Sequence, residues 1–534
     1  MRDAVDQIRL ALCRKCRQRV PAHHEIRDGR VYLCKDCEAC GRTEFLVSSD
    51  AASWQQKRDL WGYDPKESVS CRIDCERCGI PHAPTIAFVD VTNRCNMNCP
   101  ICIANIGGMG FEFHPPLAYF EKVFEALGRM DPVPLVQLFG GEPTVRDDLL
   151  EIISAARRNG VKCRVVTNGL RLANEDYCRK LCDAGVRFQL ALDGRSPEIY
   201  NRLRKNPGAC EKKLKALENL KRFSRRKSAI LCCAARNVNE DWIGDLVECC
   251  HEYADVIDSL GLLPLTETWD EGTFETDVYT TREDVEHMVE RSVPGGQVEF
   301  IPAGVMHSFR PARSFFKNKS SSDALMFGGV HPDCETMTVL ASDGRRYVSI
   351  NQFLRKPLSW VAREILERGR RVNPRLSQLD PSKRWDRLRG KWIALRTFLP
   401  PALRAVDLRK VFRGNPVVVL LKMLGGVLRG SKMSDLARRH LNLSRLLRVA
   451  TLPFEEFHSI DAARLQNCKA VFVYEDVADG RIKTVPACTW GSVYRNDILR
   501  KVSAKYNRSS LPAGEYAPTQ AGGSPTQTRA AKMP

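Results

Sequence analysis

Thr85-Ile-Ala-Phe-Val-Asp-Val-Thr-Asn-Arg-Cys-Asn-Met-Asn-Cys-Pro-Ile-Cys102 places a short apolar, β-branched run directly before three cysteines spaced C-x3-C-x2-C. The run reads as a buried strand and Asn93-Arg94 as its turn, which sets Cys95, Cys99 and Cys102 on a loop at the strand's C-terminal end. Three thiolates on one loop can hold three corners of a [4Fe–4S] cube and leave the fourth iron with an open position. The same spacing stands just upstream, at Cys71, Cys75 and Cys78, and two copies of it are not explained by chance clustering.

Working outward, strand-like runs recur at Val136–Phe139, Cys163–Val166, Phe188–Leu192, Ala229–Ala235 and Asp255–Gly261. Helical patterns fill the gaps, as from Asp147 to Asn159 and from Asn174 to Ala184. Three of the runs end in a polar segment: Gly140-Gly141-Glu142-Pro143, Thr167-Asn168-Gly169 and Asp193-Gly194. Strands alternating with helices, with functional residues at the strand ends, describe an α/β chain carrying a (β/α)-barrel-like domain over residues 83–270. A metal held only for folding would not require those loops.

These segments resemble the radical S-adenosylmethionine (SAM) superfamily, whose defining motif has the spacing of Cys95, Cys99 and Cys102. The resemblance implies a partial (β/α)6 barrel in which SAM chelates the open iron of the cluster. It also implies that Gly140 and Gly141 let the backbone approach SAM, that Glu142 accepts from its ammonium, that Asn168 lies near its ribose, and that Asp193 completes the cofactor site. One electron from the reduced cluster, delivered by a small donor such as a flavodoxin or ferredoxin, would cleave SAM to a 5′-deoxyadenosyl radical that abstracts hydrogen from an unactivated C–H bond. Two positions depart from the family pattern: Ile103 where an aromatic usually follows the last cysteine, and Asn237 where a glycine is expected.

The other cysteines form further groups. Cys13-x2-Cys16, a hairpin-like segment, and Cys34-x2-Cys37-x2-Cys40 make a ribbon spacing suited to a mononuclear Zn or Fe. Both Cys34/Cys37 and Cys37/Cys40 offer the second pair; Cys13, Cys16, Cys37 and Cys40 are favoured because the hairpin then closes at Cys40-Gly41. Cys71, Cys75 and Cys78 read as ligands of an auxiliary [4Fe–4S] cluster, with a second zinc site as the alternative. Far downstream stand Gly328-Gly-Val-His-Pro-Asp-Cys334 and a hairpin pattern that brings Cys468 near Cys488. Cys334, Cys468 and Cys488 are candidates for a second auxiliary cluster whose fourth ligand is unassigned. The whole layout is similar to the tetraether lipid synthase-like branch of radical SAM proteins. That resemblance implies auxiliary clusters and radical C–C bond formation between lipid hydrocarbon chains, with modification of a peptide or small molecule as one alternative and a non-catalytic iron–sulfur or nucleic-acid-associated protein as another.

Composition bounds the rest. The 534 residues include 22 cysteines and carry a formal charge of +19. Residues 351–450 hold 24 Lys/Arg against 6 Asp/Glu, so nearly all the excess lies in one stretch. Apolar and cationic residues alternate there at helical spacing, as in Leu403–Phe412 and Leu436–Arg448, which suits the surface of an anionic membrane, with a simple solvated face as the alternative. Few aromatics are interleaved for stacking on bases, which disfavours nucleic acid. The N-terminus lacks the apolar run of a signal peptide, so the expected location is cytoplasmic with peripheral attachment to the inner membrane face. The expected organisation is a cysteine-rich ribbon module (1–50), an auxiliary-cluster segment (51–82), the barrel (83–270), an auxiliary-cluster and substrate region (271–350), a basic helical region (351–450), a C-terminal cysteine hairpin (451–505) and a disordered tail (506–534).

Overall fold

Alternating burial along the first strands folds the N-terminal segment into an antiparallel sheet of β1 (Arg9–Leu12), β2 (Arg19–Arg27), β3 (Arg30–Cys37) and β4 (Gly41–Ser48), paired in that order. Asp28 and Gly29 both take positive φ, 49° and 71°, which gives the β2–β3 turn the twist a two-residue hairpin needs. The computed structural model describes residues 9–78, 82–268, 274–276, 278–316, 328–428, 433–443 and 445–506, so the expected tail lies almost wholly outside the described residues.

The second sheet is built on β5 (Ile86–Thr92), β6 (Leu135–Gly140), β7 (Cys163–Thr167), β8 (Phe188–Ala191), β9 (Ser228–Ala234) and β10 (Ile257–Pro264). These six pair in sequence order and in parallel, each followed by helix, which is the α/β barrel arrangement expected from the sequence. The sheet does not stop at residue 270. β11 (Ile301–Pro302), β12 (Thr336–Ser342) and β13 (Tyr347–Ser349) join it, as do β14 (Leu446–Thr451), β15 (Ala470–Glu475) and β16 (Ile482–Pro486). β14 extends it in parallel beside β10, and β15 in parallel beside β5. The regions set off as 271–350, 351–450 and 451–505 therefore each contribute strands to the barrel sheet. One expected helix is corrected in the same way. The helical pattern read over Leu436–Arg448 splits into a helix, Met433–His440, and β14, where Leu447, Val449 and Thr451 are buried in alternation. Pairing with β10 on one side and β12 on the other overrides the local spacing.

Buried ion pairs tie the outlying segments to the barrel. Asp90 on β5 accepts from Trp490 Nε1 at 2.9 Å and from the Arg495 guanidinium at 2.7 and 3.2 Å, and Arg495 also donates to Ala104 O. The C-terminal segment is thereby locked to the strand that launches the Cys95–Cys102 loop. Arg58, on the helix Ala51–Trp61, stacks on Trp54 and donates to Asp333 in the His-Pro-Asp-Cys segment at 3.0 Å. Arg9 on β1 pairs with buried Asp461 at 2.8 Å. The basic region supplies the helices Leu358–Leu376, Arg384–Ala405, Leu408–Val411 and Pro416–Leu428. Among the described residues no helix is long and apolar enough to cross a membrane.

Removing one partner of a buried pair strands the other charge. Asp90→Ala is expected to lower unfolding stability by about 3–5 kcal/mol, read by denaturant titration with all metals loaded; a change below about 0.5 kcal/mol would show that the anchor is not needed.

Candidate active site and metal centres

The polar loops converge because the backbone at the strand ends packs without side chains between. Gly140 has φ +133°, and a Cβ there would lie 2.2 Å from Thr92 O; a Cβ on Gly141 would lie 2.2 Å from Arg94 O. Gly141 N donates to Thr92 O at 2.6 Å and Glu142 N to Arg94 O at 2.9 Å. The glycine pair thus seats the end of β6 against the root of the cysteine loop.

Glu142 then links that loop to the next one. Its buried carboxylate accepts from Thr144 N (3.0 Å), Thr144 Oγ1 (2.6 Å), Thr167 Oγ1 (2.7 Å) and Asn168 N (2.6 Å). Asn168 turns its amide toward the cysteine loop, donating to Asn96 Oδ1 at 2.8 Å, with Cys95 Sγ at 4.0 Å. Asp193 is buried and takes both Arg204 nitrogens, at 2.8 and 2.9 Å, together with Cys233 N at 2.9 Å. Burial alone would push its carboxyl up, but Arg204 and then Lys213 hold it below the usual carboxylate range. Asp193 therefore reaches the site through Arg204, whose side chain lines the cavity. Nothing in the sequence pattern marks Arg204, which lies on the helix Pro197–Arg204 and meets Asp193 only through the fold. Asn237 takes φ +57°, the left-handed conformation a glycine would adopt there and one that asparagine tolerates.

A cavity of about 190 Å³ opens at these strand ends, walled by Cys95, Cys99, Cys102, Gly140, Gly141, Glu142, Asn168 and Arg204. Desolvation of its sulfur pushes the Cys95 thiol up to about 12, although the residue itself is exposed at the cavity mouth, and raises Cys99 as well. Thiols so desolvated become thiolates when a cation replaces the proton. The donor set fits a [4Fe–4S] cluster: three sulfurs at one mouth, and a pocket beside them lined by backbone, amide and guanidinium groups for the group that would complete it.

A second cavity of about 220 Å³ runs through the barrel. Ile103, Ala104, Phe139, Val166, Leu231 and Leu263 line both cavities. Its inner wall uses alternate residues of the strands, Gln137 and Phe139 on β6, Ala229 and Leu231 on β9, and Ser259, Gly261 and Leu263 on β10. Most of that wall is apolar; Arg164, Gln189, Ser259 and Arg448 stand toward the end where the strands begin.

Cys334, Cys468 and Cys488 line the same chamber. Each is buried enough to raise its thiol, and the three act on one another electrostatically. Glu455 donates its backbone N–H to Cys488 Sγ at 3.4 Å, and burial pushes its carboxyl up to about 7 against the pull of Arg464. Sequence reading missed Glu455 and Arg464, since no motif brackets them. Cys71, Cys75 and Cys78 likewise act on one another electrostatically; burial pushes Cys71 to about 11 and Cys75 to about 12. Cys75 Sγ lies 3.4 Å from Thr489 Oγ1, so this group abuts the C-terminal hairpin. In the ribbon, the sulfurs of Cys13, Cys16, Cys37 and Cys40 all lie within 4.8 Å of one another, with Cys16 and Cys37 3.6 Å apart. Tetrahedral Zn–S bonds of about 2.3 Å place sulfurs about 3.8 Å apart, so the four fit one mononuclear ion. Cys34 faces away from them, toward His23 and Glu25.

Comparison with known proteins agrees with this geometry. Residues 89–250 match the radical SAM superfamily, and residues 9–49 match the HMPTM N-terminal zinc ribbon domain. The chain is similar to the 7,8-dihydro-6-hydroxymethylpterin dimethyltransferase of Methanocaldococcus jannaschii, 29% identical over 517 residues that span 92% of this chain and 95% of that protein. It is also similar to the mycofactocin maturase MftC of Mycolicibacterium smegmatis, 30% identical over 138 residues, 26% of this chain and 34% of the maturase. Among solved structures, Streptococcus suis SuiB bound to S-adenosylmethionine aligns with a TM-score of 0.32 and 14% identity, over 54% of this chain and 69% of that one. The chain carries a radical SAM domain, which implies a [4Fe–4S] cluster and SAM, behind a zinc ribbon.

The ribbon gives a direct contrast. Cys37→Ser is expected to lose the mononuclear metal and Cys34→Ser to keep it, read as metal per chain by elemental analysis. Equal metal in both variants would reassign the ligands.

Proposed function

We propose that this radical SAM chain forms carbon–carbon bonds at unactivated carbons and that its substrate is largely hydrocarbon, the chains of a membrane lipid. The observation that carries the reading is the apolar chamber inside the barrel, which shares Phe139, Val166, Leu231 and Leu263 with the cavity of Cys95, Cys99 and Cys102. A hydrocarbon chain held there meets a wall that is mostly apolar, which matches its own chemistry.

When bound, the cluster and SAM supply the oxidising 5′-deoxyadenosyl group. The chain's own residues do the rest. Cys95, Cys99 and Cys102 hold the cluster, the Gly140–Gly141 backbone and Arg204 border SAM, and Glu142 and Asn168 fix the loops around it. Asp193 positions Arg204. Cys71, Cys75 and Cys78 hold one auxiliary cluster, and Cys334, Cys468 and Cys488 a second beside the chamber. Joining two alkyl carbons removes a hydrogen from each, and two SAM cleavages, each consuming one electron from the donor, would supply the two 5′-deoxyadenosyl groups that take them, so the step balances; the Cys334, Cys468 and Cys488 group stands at the chamber wall. Cys13, Cys16, Cys37 and Cys40 hold a structural ion.

A second reading is methylation of a pterin-like heterocycle. The M. jannaschii relative matches along nearly its whole length and is named for that activity. In addition, Gln137 Oε1 and Glu455 Oε2 are buried at the chamber wall without hydrogen-bond partners among the described residues, as groups awaiting a ring N–H would be.

The two readings separate by mass spectrometry of lipids and pterins from cells with and without the gene. Hydrocarbon coupling predicts gene-dependent lipids lighter by two hydrogens per new bond. Unchanged lipids with a gene-dependent methylated pterin would replace the first reading with the second.

A further inference from the structure

The helix Arg384–Ala405 is apolar on two opposite faces. One face, Gly390, Ala394, Pro401 and Ala405, is buried, and Gly390 sits so close to Phe315 that a Cβ would come within 2.3 Å of its ring. The other face carries Trp385, Leu388, Trp392, Leu395, Leu399 and Leu403, which are 80, 49, 59, 49, 47 and 50% exposed. Their spacing repeats every three or four residues, so they form one stripe about 160° round the helix from the buried face and roughly 27 Å long. Monomeric soluble proteins rarely leave so long a row of large apolar side chains in water.

The charges say what covers it. At about 100° per residue, Arg384 and Lys391 flank the stripe on one side and Arg389 and Arg396 on the other. Arg396 lies over the Trp392 ring, 5.1 Å from its centroid. Asp386 is the only acidic residue of the helix. A second copy of the helix packed on this stripe would set arginine rows against arginine rows, which opposes pairing. A nucleic acid would satisfy the arginines but leave the leucines against phosphate. An anionic bilayer satisfies both: headgroup phosphates meet the flanking cations while the leucines and tryptophans enter the acyl boundary. Leu395 and Leu399 also wall an apolar cavity of about 320 Å³ with Phe316, Trp360 and Phe398, room for an acyl chain end beside the helix.

We infer that the helix Arg384–Ala405 docks the protein flat on an anionic lipid surface through this stripe. The inference rests on the surface alone and does not depend on which substrate the barrel takes.

The test is flotation of the full, metal-loaded chain with vesicles of phosphatidylglycerol and phosphatidylcholine, and with vesicles of phosphatidylcholine alone. The natural chain is expected to bind the anionic vesicles at least about tenfold more tightly than the neutral ones, with a blue shift of tryptophan emission. A Trp385→Glu/Trp392→Glu variant should lose that binding by about tenfold or more, and Arg389→Glu/Arg396→Glu should lose its salt-sensitive part. Both variants should form 5′-deoxyadenosine as well as the natural chain in the absence of vesicles, which keeps a failure of docking distinct from a failure of the catalytic reading. Unchanged vesicle binding by the tryptophan variant would overturn the inference. So would a dimer of the natural chain that becomes a monomer in that variant, or stripe-dependent binding of an oligonucleotide in place of vesicles.

Discussion

Four hydrogen bonds converge on the buried carboxylate of Glu142, from Thr144 N and Oγ1, Thr167 Oγ1 and Asn168 N. A carboxylate taken out of water is tolerated only where it is so paired, and here the pairing joins the end of β6 to the end of β7. Gly140 and Gly141 press the same loop onto the root of the cysteine loop. Asn168 closes the triangle by reaching Asn96. The cysteine loop is therefore held by its neighbours through contacts with the sheet's strand ends.

The barrel was largely legible in the sequence because each of its strands is a short apolar run that ends in a recognisable polar turn. β5 to β10 appear within a few residues of where the pattern of Thr85–Thr92 and its successors puts them. What the pattern could not carry was which distant segments complete the sheet. β14 looked helical because Leu446-Leu447-Arg448 continues the spacing of the residues before it, and only its two pairing partners make it a strand. The grouping of Cys13, Cys16, Cys37 and Cys40 is local and was readable; the roles of Asp193 and Glu142 were less so. Both belong to motifs, yet their carboxylates are engaged by Arg204 for Asp193 and by backbone amides and threonine hydroxyls for Glu142, contacts that exist only once the strand ends and the helix Pro197–Arg204 are packed.

The cysteine groups share one physical setting. Burial raises the thiols of Cys71, Cys75, Cys468 and Cys488, and a cation at such a group would take the place of the proton. Cys334, Cys468 and Cys488 border the chamber, while Cys95, Cys99 and Cys102 border the neighbouring cavity that shares Phe139, Val166, Leu231 and Leu263 with it. The cationic helices lie outside that core. On the barrel's own lining, Arg448 of β14 is engaged by Asp258 and Ser259.

The central claim is that the Cys95–Cys102 loop builds a SAM-cleaving cluster. Its most direct test is anaerobic reconstitution with iron and sulfide, reduction in the presence of SAM, and chromatography for 5′-deoxyadenosine, for the natural chain and for Cys99→Ala. The account predicts 5′-deoxyadenosine from the natural chain and none from the variant, while iron at the other cysteine groups is retained. Equal product from both, or none from a fully iron-loaded natural chain, would contradict it.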